Sequence, residues 1–237
     1  MPNPTPEPSH NSNRHLTNLN DRLKIETMII TDNTKDLLLK SAQKLFAIKG
    51  LEGTTVKEIA EDAGVNSSLV SYHFNGKEGL FEACIRSMGQ TSLQMAKRVL
   101  TPAESKPELK LKLEIFVTEI LTHHAENSDV TRIIHREMEN NTPFMEDIFK
   151  STFLEIFVTV QTFLIDAQKT GLIRSDLNPL VVSSILIGSI VQFGRMDIKC
   201  QRYFNHSIQD KEYLNSVTHH IVEMFLFGTL SKKEETL

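Results

Sequence analysis

The segment from Thr55 to Phe74 admits few structures other than two short helices crossing through a tight turn. Thr55 and Glu58 stand three apart ahead of apolar Val56, Ile59, Ala60 and Ala63, the spacing of a capping box opening a short amphipathic helix. Gly64 can take the left-handed backbone conformation that ends such a helix and turns the chain. Asn66 then caps a second helix, its side-chain oxygen accepting orphan N–H groups of the first turn. In that helix Leu69, Val70 and Phe74 face the first helix, which leaves Ser67, Ser68, Ser71 and Tyr72 on the other side. The result is a polar, uncharged stripe on a helix-turn-helix, the shape that reads DNA. A plain helical hairpin with a solvated face shares the local pattern, and the continuation through Lys77 and Leu80 argues against it.

With that continuation the chain resembles the TetR/AcrR family of bacterial transcriptional regulators. The resemblance rests on Leu45, Phe46 and Gly50, the pair Thr54–Thr55, Ile59–Ala60, Ala63–Gly64–Val65, the run from Ser68 to Phe74, and Lys77 with Leu80. It covers roughly residues 34 to 85. Gly79 departs from the pattern, and as a glycine in a helix it is expected to weaken the fourth helix by about 1 kcal/mol relative to alanine.

At 237 residues the chain is long enough for one or two domains with a sizeable core. The economical reading is an all-α body: an arm over 1–30, a three-helix DNA-binding domain over 31–80, and a helical regulatory and dimerisation domain over 81–237. No credible strand pattern occurs. The arm carries prolines at each even position from 2 to 8, then polar residues without helical period, and is expected to be disordered, with the segment near Leu23 to Ile30 able to extend the first helix. About nine helices follow, near residues 34–49, 55–63, 66–74, 77–100, 107–125, 129–139, 143–170, 178–199 and 210–228. The longest apolar run, Leu180 to Val191, is interrupted by serines and a glycine and falls short of the about 20 residues of a membrane span. No secretory pattern opens the chain, and Cys84 and Cys200 are isolated, so a reducing cytoplasm is the expected location.

The net charge of −4 alone argues against nucleic acid, but residues 34–100 hold nine Lys or Arg against seven Asp or Glu. That local basic balance is enough for a phosphate-gripping rim. Asn66, Ser67, Ser68 and Ser71 are the candidates for base-edge contact. None is an arginine, so bidentate readout of guanine is not open to this helix, and DNA shape and water bridges must carry more of the sequence choice. The resemblance implies that Thr54 or Thr55, Tyr72, His73 and Lys77 hold phosphates. For His73, packing on the first helix is the competing reading.

For the rear body the resemblance implies dimerisation and sensing of a small molecule. The helix from Val181 to Phe193 is apolar almost all round, with small residues Ser184, Gly188 and Ser189, and needs cover on both sides. Ser184, Ile185, Gly188 and Ser189 with Val217, Ile221, Met224 and Phe225 of the last helix are expected to form a two-fold contact. Phe116, Ile120, Phe153 and Phe157 are expected to line an effector site, with Arg132, His135, Gln161, Gln192 and Arg195 supplying polar groups, although a phenylalanine-rich face also suits plain core.

The expected partners are a palindromic operator in double-stranded DNA, a second copy of the chain, and an apolar or aromatic effector that releases a repressor. A ligand-independent architectural or partner-binding protein of the same fold is the alternative. No metal motif, phosphate loop, nucleophile elbow or placed pair of carboxylates points to a metal, a cofactor or an enzyme.

Overall fold

The computed structural model describes residues 19–140 and 143–229, with side chains from residue 33 onward except those of 140–143. The described residues form nine helices and no strand: α1 (Leu19–Lys49), α2 (Val56–Ala63), α3 (Ser68–Phe74), α4 (Lys77–Val99), α5 (Lys106–Glu126), α6 (Ser128–Asn140), α7 (143–169), α8 (Pro179–Phe204) and α9 (Lys211–Thr229). The first helix starts at Leu19 rather than Thr34, so the later part of the expected disordered arm is helical. Residues 1–18 of that arm, and residues 141 and 142 between the expected sixth and seventh helices, lie outside the described residues.

Local signals set the front of the molecule. Thr55 sits extended at φ −108° and accepts the Glu58 N–H, while the Glu58 carboxylate accepts from the Thr55 N–H, closing the capping box of α2. Gly64 ends α2 at φ 68°. Asn66 Oδ1 accepts the Ser68 N–H at 2.9 Å and so caps α3. Two ion pairs of 2.7 Å, Lys44–Asp62 and Lys49–Glu58, fasten α2 along α1. The Lys49 ammonium and the Thr55 donors hold the Glu58 carboxyl down at about 2.

The apolar side chains gather into two cores. One joins Leu38 and Phe46 of α1, Val70 and Phe74 of α3 and the first half of α4, and it continues into Val130 and Ile133 of α6 and Ile148 of α7. At its centre Phe46 and Phe81, both fully buried, meet edge to face at 4.9 Å, a geometry worth about 1 kcal/mol beyond burial. The other core is built from the end of α4, from α5, the second half of α7, α8 and α9. The helices α4 and α7 serve both.

Helix α7 is not uniform. Residues Phe149–Phe153 form a π-helical turn between two α-helical stretches, with the Leu154 N–H donating to the Phe149 carbonyl. Beside it, α4 comes close at Gly89, where a Cβ would stand 2.7 Å from Thr152 Oγ1. Two helices, 144–169 and Pro179–Phe204, are long and apolar enough by length and composition alone to cross a membrane. The expectation drawn from the run Leu180–Val191 therefore understated α8. Each of these helices packs one face into the core, and the second half of α8 carries Arg195, Asp197, Lys199 and Arg202.

Gly79 reverses a sequence expectation. A Cβ there would lie 1.8 Å from the Phe74 carbonyl oxygen, so the glycine lets the first turn of α4 rest against the end of α3. The lost helix propensity is the smaller effect. Gly79→Ala is expected to destabilise the protein by about 1–3 kcal/mol, the usual range for overpacking, measured by urea unfolding. An unchanged or raised midpoint would show that the contact yields.

Candidate functional site

The α3 face presents Asn66, Ser67, Ser68, Ser71 and Tyr72, all exposed, with Tyr72 at 76%. Asn66 spends its side-chain oxygen on both the N–H and the hydroxyl of Ser68, so it orders the helix start as well as facing outward. The His73 ring is half-buried and meets Tyr72 edge-on at 4.9 Å and Phe74 at 6.1 Å. Thr55 is exposed, its hydroxyl donating to Glu58 at 2.8 Å.

Thr54 does not belong to this face. It is 1% exposed and its hydroxyl donates at 2.7 Å to the carbonyl of Gly50, the residue that follows α1 and whose carbonyl has no partner within the helix. Lys77 has a related duty: its ammonium donates to the Leu51 carbonyl at 2.9 Å. A third donor arrives from α6, where Arg136 Nη2 reaches the Phe46 carbonyl at 3.2 Å and the guanidinium lies over Gly50. Sequence reasoning did not single out Arg136. Nothing local to it signals a partner ninety residues away.

Behind the reader, between the two cores, lies a cavity of about 410 Å³. Its wall is overwhelmingly apolar. Met88 of α4, Phe116 and Ile120 of α5, Phe153 and Phe157 of α7, and Ile187 of α8 represent four of the five helices that enclose it, the fifth being α6. Phe149 and Phe153 bring the π-helical turn into the wall, a kind of distortion often found at functional sites. The polar members are Ser92, His124, Thr131 and His135.

Of the expected effector residues, Phe116, Ile120, His135, Phe153 and Phe157 line this cavity. Gln161 and Gln192 line neither this cavity nor the cleft beside it: Gln192 is exposed on the outer face of α8, and Gln161 stands beyond the last α7 wall residue. Arg132 and Arg195 line the adjacent polar cleft instead, with Arg136 and Lys199. There Arg132 pairs with Asp129 at 2.6 Å and Arg195 with Glu139 at 3.1 Å. His124, Thr131 and His135 are walls of both spaces.

His124 was not among the residues expected in the site. Its Nδ1 is buried without a hydrogen-bond partner among the described residues and lies against Gly194, where a Cβ would stand 2.5 Å away. Burial, with the neighbouring His135 and His123, pushes the His124 imidazole down to about 4. Burial, reinforced by the Arg195 charge, lowers His135 as well, and its Nε2 also has no hydrogen-bond partner among the described residues. Both rings are therefore neutral near pH 7. His123 meets Ser92 Oγ at 3.1 Å.

The α8–α9 surface divides the expected contact residues. Ser184, Ile185, Gly188 and Met224 are exposed, Ile185 at 57% and Met224 at 76%, and Ser189 is half-buried. Val217, Ile221 and Phe225 belong instead to the core, on the opposite face of α9. The outward face of α9 includes Phe227, 94% exposed, which sequence reading passed over although it lies three residues beyond Met224.

Residues 38–84, from α1 into α4, match the family described as bacterial regulatory proteins, tetR family. By that match the helix-turn-helix is a TetR-family one. Among curated TetR-type relatives, "Probable HTH-type transcriptional regulator YttP" of Bacillus subtilis is 29% identical over 141 residues, 58% of this chain and 66% of that protein. The HTH-type transcriptional repressor KstR2 of Mycolicibacterium smegmatis is 33% identical over 93 residues, 39% of this chain and 45% of that protein. Among solved structures, the ketosteroid transcriptional regulator KstR2 of Mycobacterium tuberculosis superposes with a TM-score of 0.66 at 18% identity, covering 84% of this chain and 95% of that one. The TetR fold therefore extends from the matched reader through the helical body, and these relatives are helix-turn-helix transcriptional regulators.

The neutral histidines have a measurable consequence. An imidazole held near 4 in the folded state but near 6.5 unfolded binds fewer protons when folded, so its contribution is complete above 6.5 and is lost as pH falls toward 4. Thermal unfolding is expected to move down between pH 6.5 and 4. His124→Gln should remove on the order of 5 °C of that decline. An identical pH profile in the variant would show that His124 is not held neutral by the fold.

Proposed function

We propose that the protein is a homodimeric, DNA-binding transcriptional repressor released from a palindromic operator by a small, largely apolar molecule. The observation that carries the reading is the cavity of about 410 Å³, because α4 supplies Met88 and Ser92 to its wall and starts at Lys77, immediately after α3. A volume in the range of about 300–1,000 Å³ suits one drug-sized guest. The KstR2 neighbour is named a ketosteroid transcriptional regulator, and a ketosteroid is a molecule of the same apolar character.

On DNA, the N-terminal residues of α3 enter the major groove, with Asn66, Ser67, Ser68 and Ser71 toward base edges. Tyr72, His73, Lys77 and the N-terminus of α2 at Thr55 hold phosphates, since exposed helix N–H groups and an ammonium favour an anion. Thr54 acts from behind by fixing the turn that leads into α2. With no arginine on the α3 face, each reader is weakly selective, and two held at a fixed spacing supply the specificity. The exposed α8 stripe of Val181, Ser184, Ile185 and Gly188, with Met224 and Phe227 of α9, is the face that joins two copies.

A guest that fits one arrangement of the cavity shifts α4 against α7 at the Gly89–Thr152 contact, and the two readers then no longer fit major grooves about 34 Å apart. Guest and operator must weaken each other by the same factor.

Two variants test this reading. Lys77→Ala is expected to weaken binding to all DNA sequences alike and to make the slope of log K against log salt about one unit shallower. A retained slope with altered base preference would instead confine Lys77 to its contact with Leu51. In sedimentation analysis Ile185→Asp should yield monomers whose operator affinity is lower by about 100-fold or more. A dimer of normal affinity would place the two-fold face elsewhere.

A further inference from the structure

The cavity and the cleft beside it together describe one kind of guest more narrowly than either alone. Three of the four polar members of the cavity wall, His124, Thr131 and His135, are the residues it shares with the cleft. The fourth, Ser92, has its hydroxyl engaged by His123. The polar end of any guest is therefore directed to the shared wall, because elsewhere a polar group would be buried without a partner. At that wall, His124 Nδ1 and His135 Nε2 have no hydrogen-bond partner among the described residues.

Beyond the wall the cleft is lined by four cations, Arg132, Arg136, Arg195 and Lys199, against Glu139 and Asp197. Asp197 is already committed, accepting from the Ser207 hydroxyl at 3.0 Å and the Ile208 N–H at 2.7 Å. Glu139 pairs with Arg195 in an exposed bridge, which is weak and open to exchange. We propose that the guest is an amphiphile: an apolar body in the cavity and an anionic head, carboxylate or phosphate, that meets the shared histidine wall and pairs with Arg136 and Arg195. The neutral imidazoles suit this placement, since either ring can donate to the head without requiring a buried charge.

The proposal rests on the cavity being the effector site and adds a route from it to the reader. Arg136 lines the cleft, and its guanidinium also holds the Phe46 carbonyl at the end of α1 through Nη2 and the Glu137 carboxylate through Nε at 3.1 Å. An anionic head is a stronger acceptor than a peptide carbonyl, so the head and α1 compete for one guanidinium. Occupation of the cleft thus loosens the tie between α6 and the helix on which α2 is clamped.

The test is calorimetric titration of the full chain with decanoate, decyl phosphate and methyl decanoate below their micelle concentrations, repeated on Arg136→Gln and Arg195→Gln variants with unchanged circular dichroism. At least one anionic probe is expected to bind about tenfold or more tightly than the ester, and each variant to cut that preference by about tenfold, the effect of one charge-assisted hydrogen bond. Decanoate and decyl phosphate separate a carboxylate from a phosphate head. Equal affinity for acid, phosphate and ester would overturn the anionic head while leaving the cavity as an effector site. A preference that survives both arginine variants would overturn the cleft as its location. No binding of any probe by the intact chain would overturn this proposal, and a cavity that also refused ketosteroids would remove the effector reading itself.

Discussion

The carbonyl end of α1 is the constraint on which the rest of the structure depends. A helix ends with carbonyls that no residue of its own can satisfy. At the end of α1 and in the turn that follows it, side-chain donors come from three places: the Thr54 hydroxyl to Gly50, the Lys77 ammonium to Leu51, and the Arg136 guanidinium to Phe46, whose carbonyl also accepts the Gly50 N–H at 2.9 Å. Those donors lead into α2, open α4 and belong to α6, so one helix end fixes the positions of the reader, its connecting helix and a wall of the cavity. The Lys44–Asp62 and Lys49–Glu58 pairs extend the same junction along α2.

Close helix approach is the second constraint. At Gly79, Gly89 and Gly194 a side chain would collide with the Phe74 carbonyl, Thr152 and His124 respectively. Each glycine lies at a point that matters for coupling: the joint between α3 and α4, the crossing of α4 on the π-helical turn, and the back of the shared histidine wall. The cavity sits where these helices separate, between a core that includes the reader and one that includes α8 and α9. Because α6 and the start of α7 share the reader's core, a division of the chain near residue 80 describes sequence order better than packing.

Much of the front was legible in the residues. Thr55, Glu58, Gly64 and Asn66 act within a few positions of themselves, and the structure carries the corresponding caps and turn. The outward stripe of α3 followed from helical periodicity. Thr54 was misplaced for an instructive reason: a hydroxyl next to a helix start can face solvent or the preceding helix end, and only the path of the chain decides. Val217, Ile221 and Phe225 were misassigned similarly, since an amphipathic helix reveals an apolar face but not whether its own body or a second copy covers it.

The sequence by itself determined the nine helices of the described residues, the helix-turn-helix and the uncharged character of its exposed face, because caps, turn glycines and helical periods act over short stretches of chain. Tertiary structure decided which polar groups surround the cavity, that Gln161 and Gln192 stand apart from it, that Arg136 ties α6 to α1, and that Gly79 is required rather than tolerated. Those features depend on groups brought together from distant positions, as Arg136 and Phe46 are. A helix-end carbonyl needs a donor but does not specify which residue supplies it.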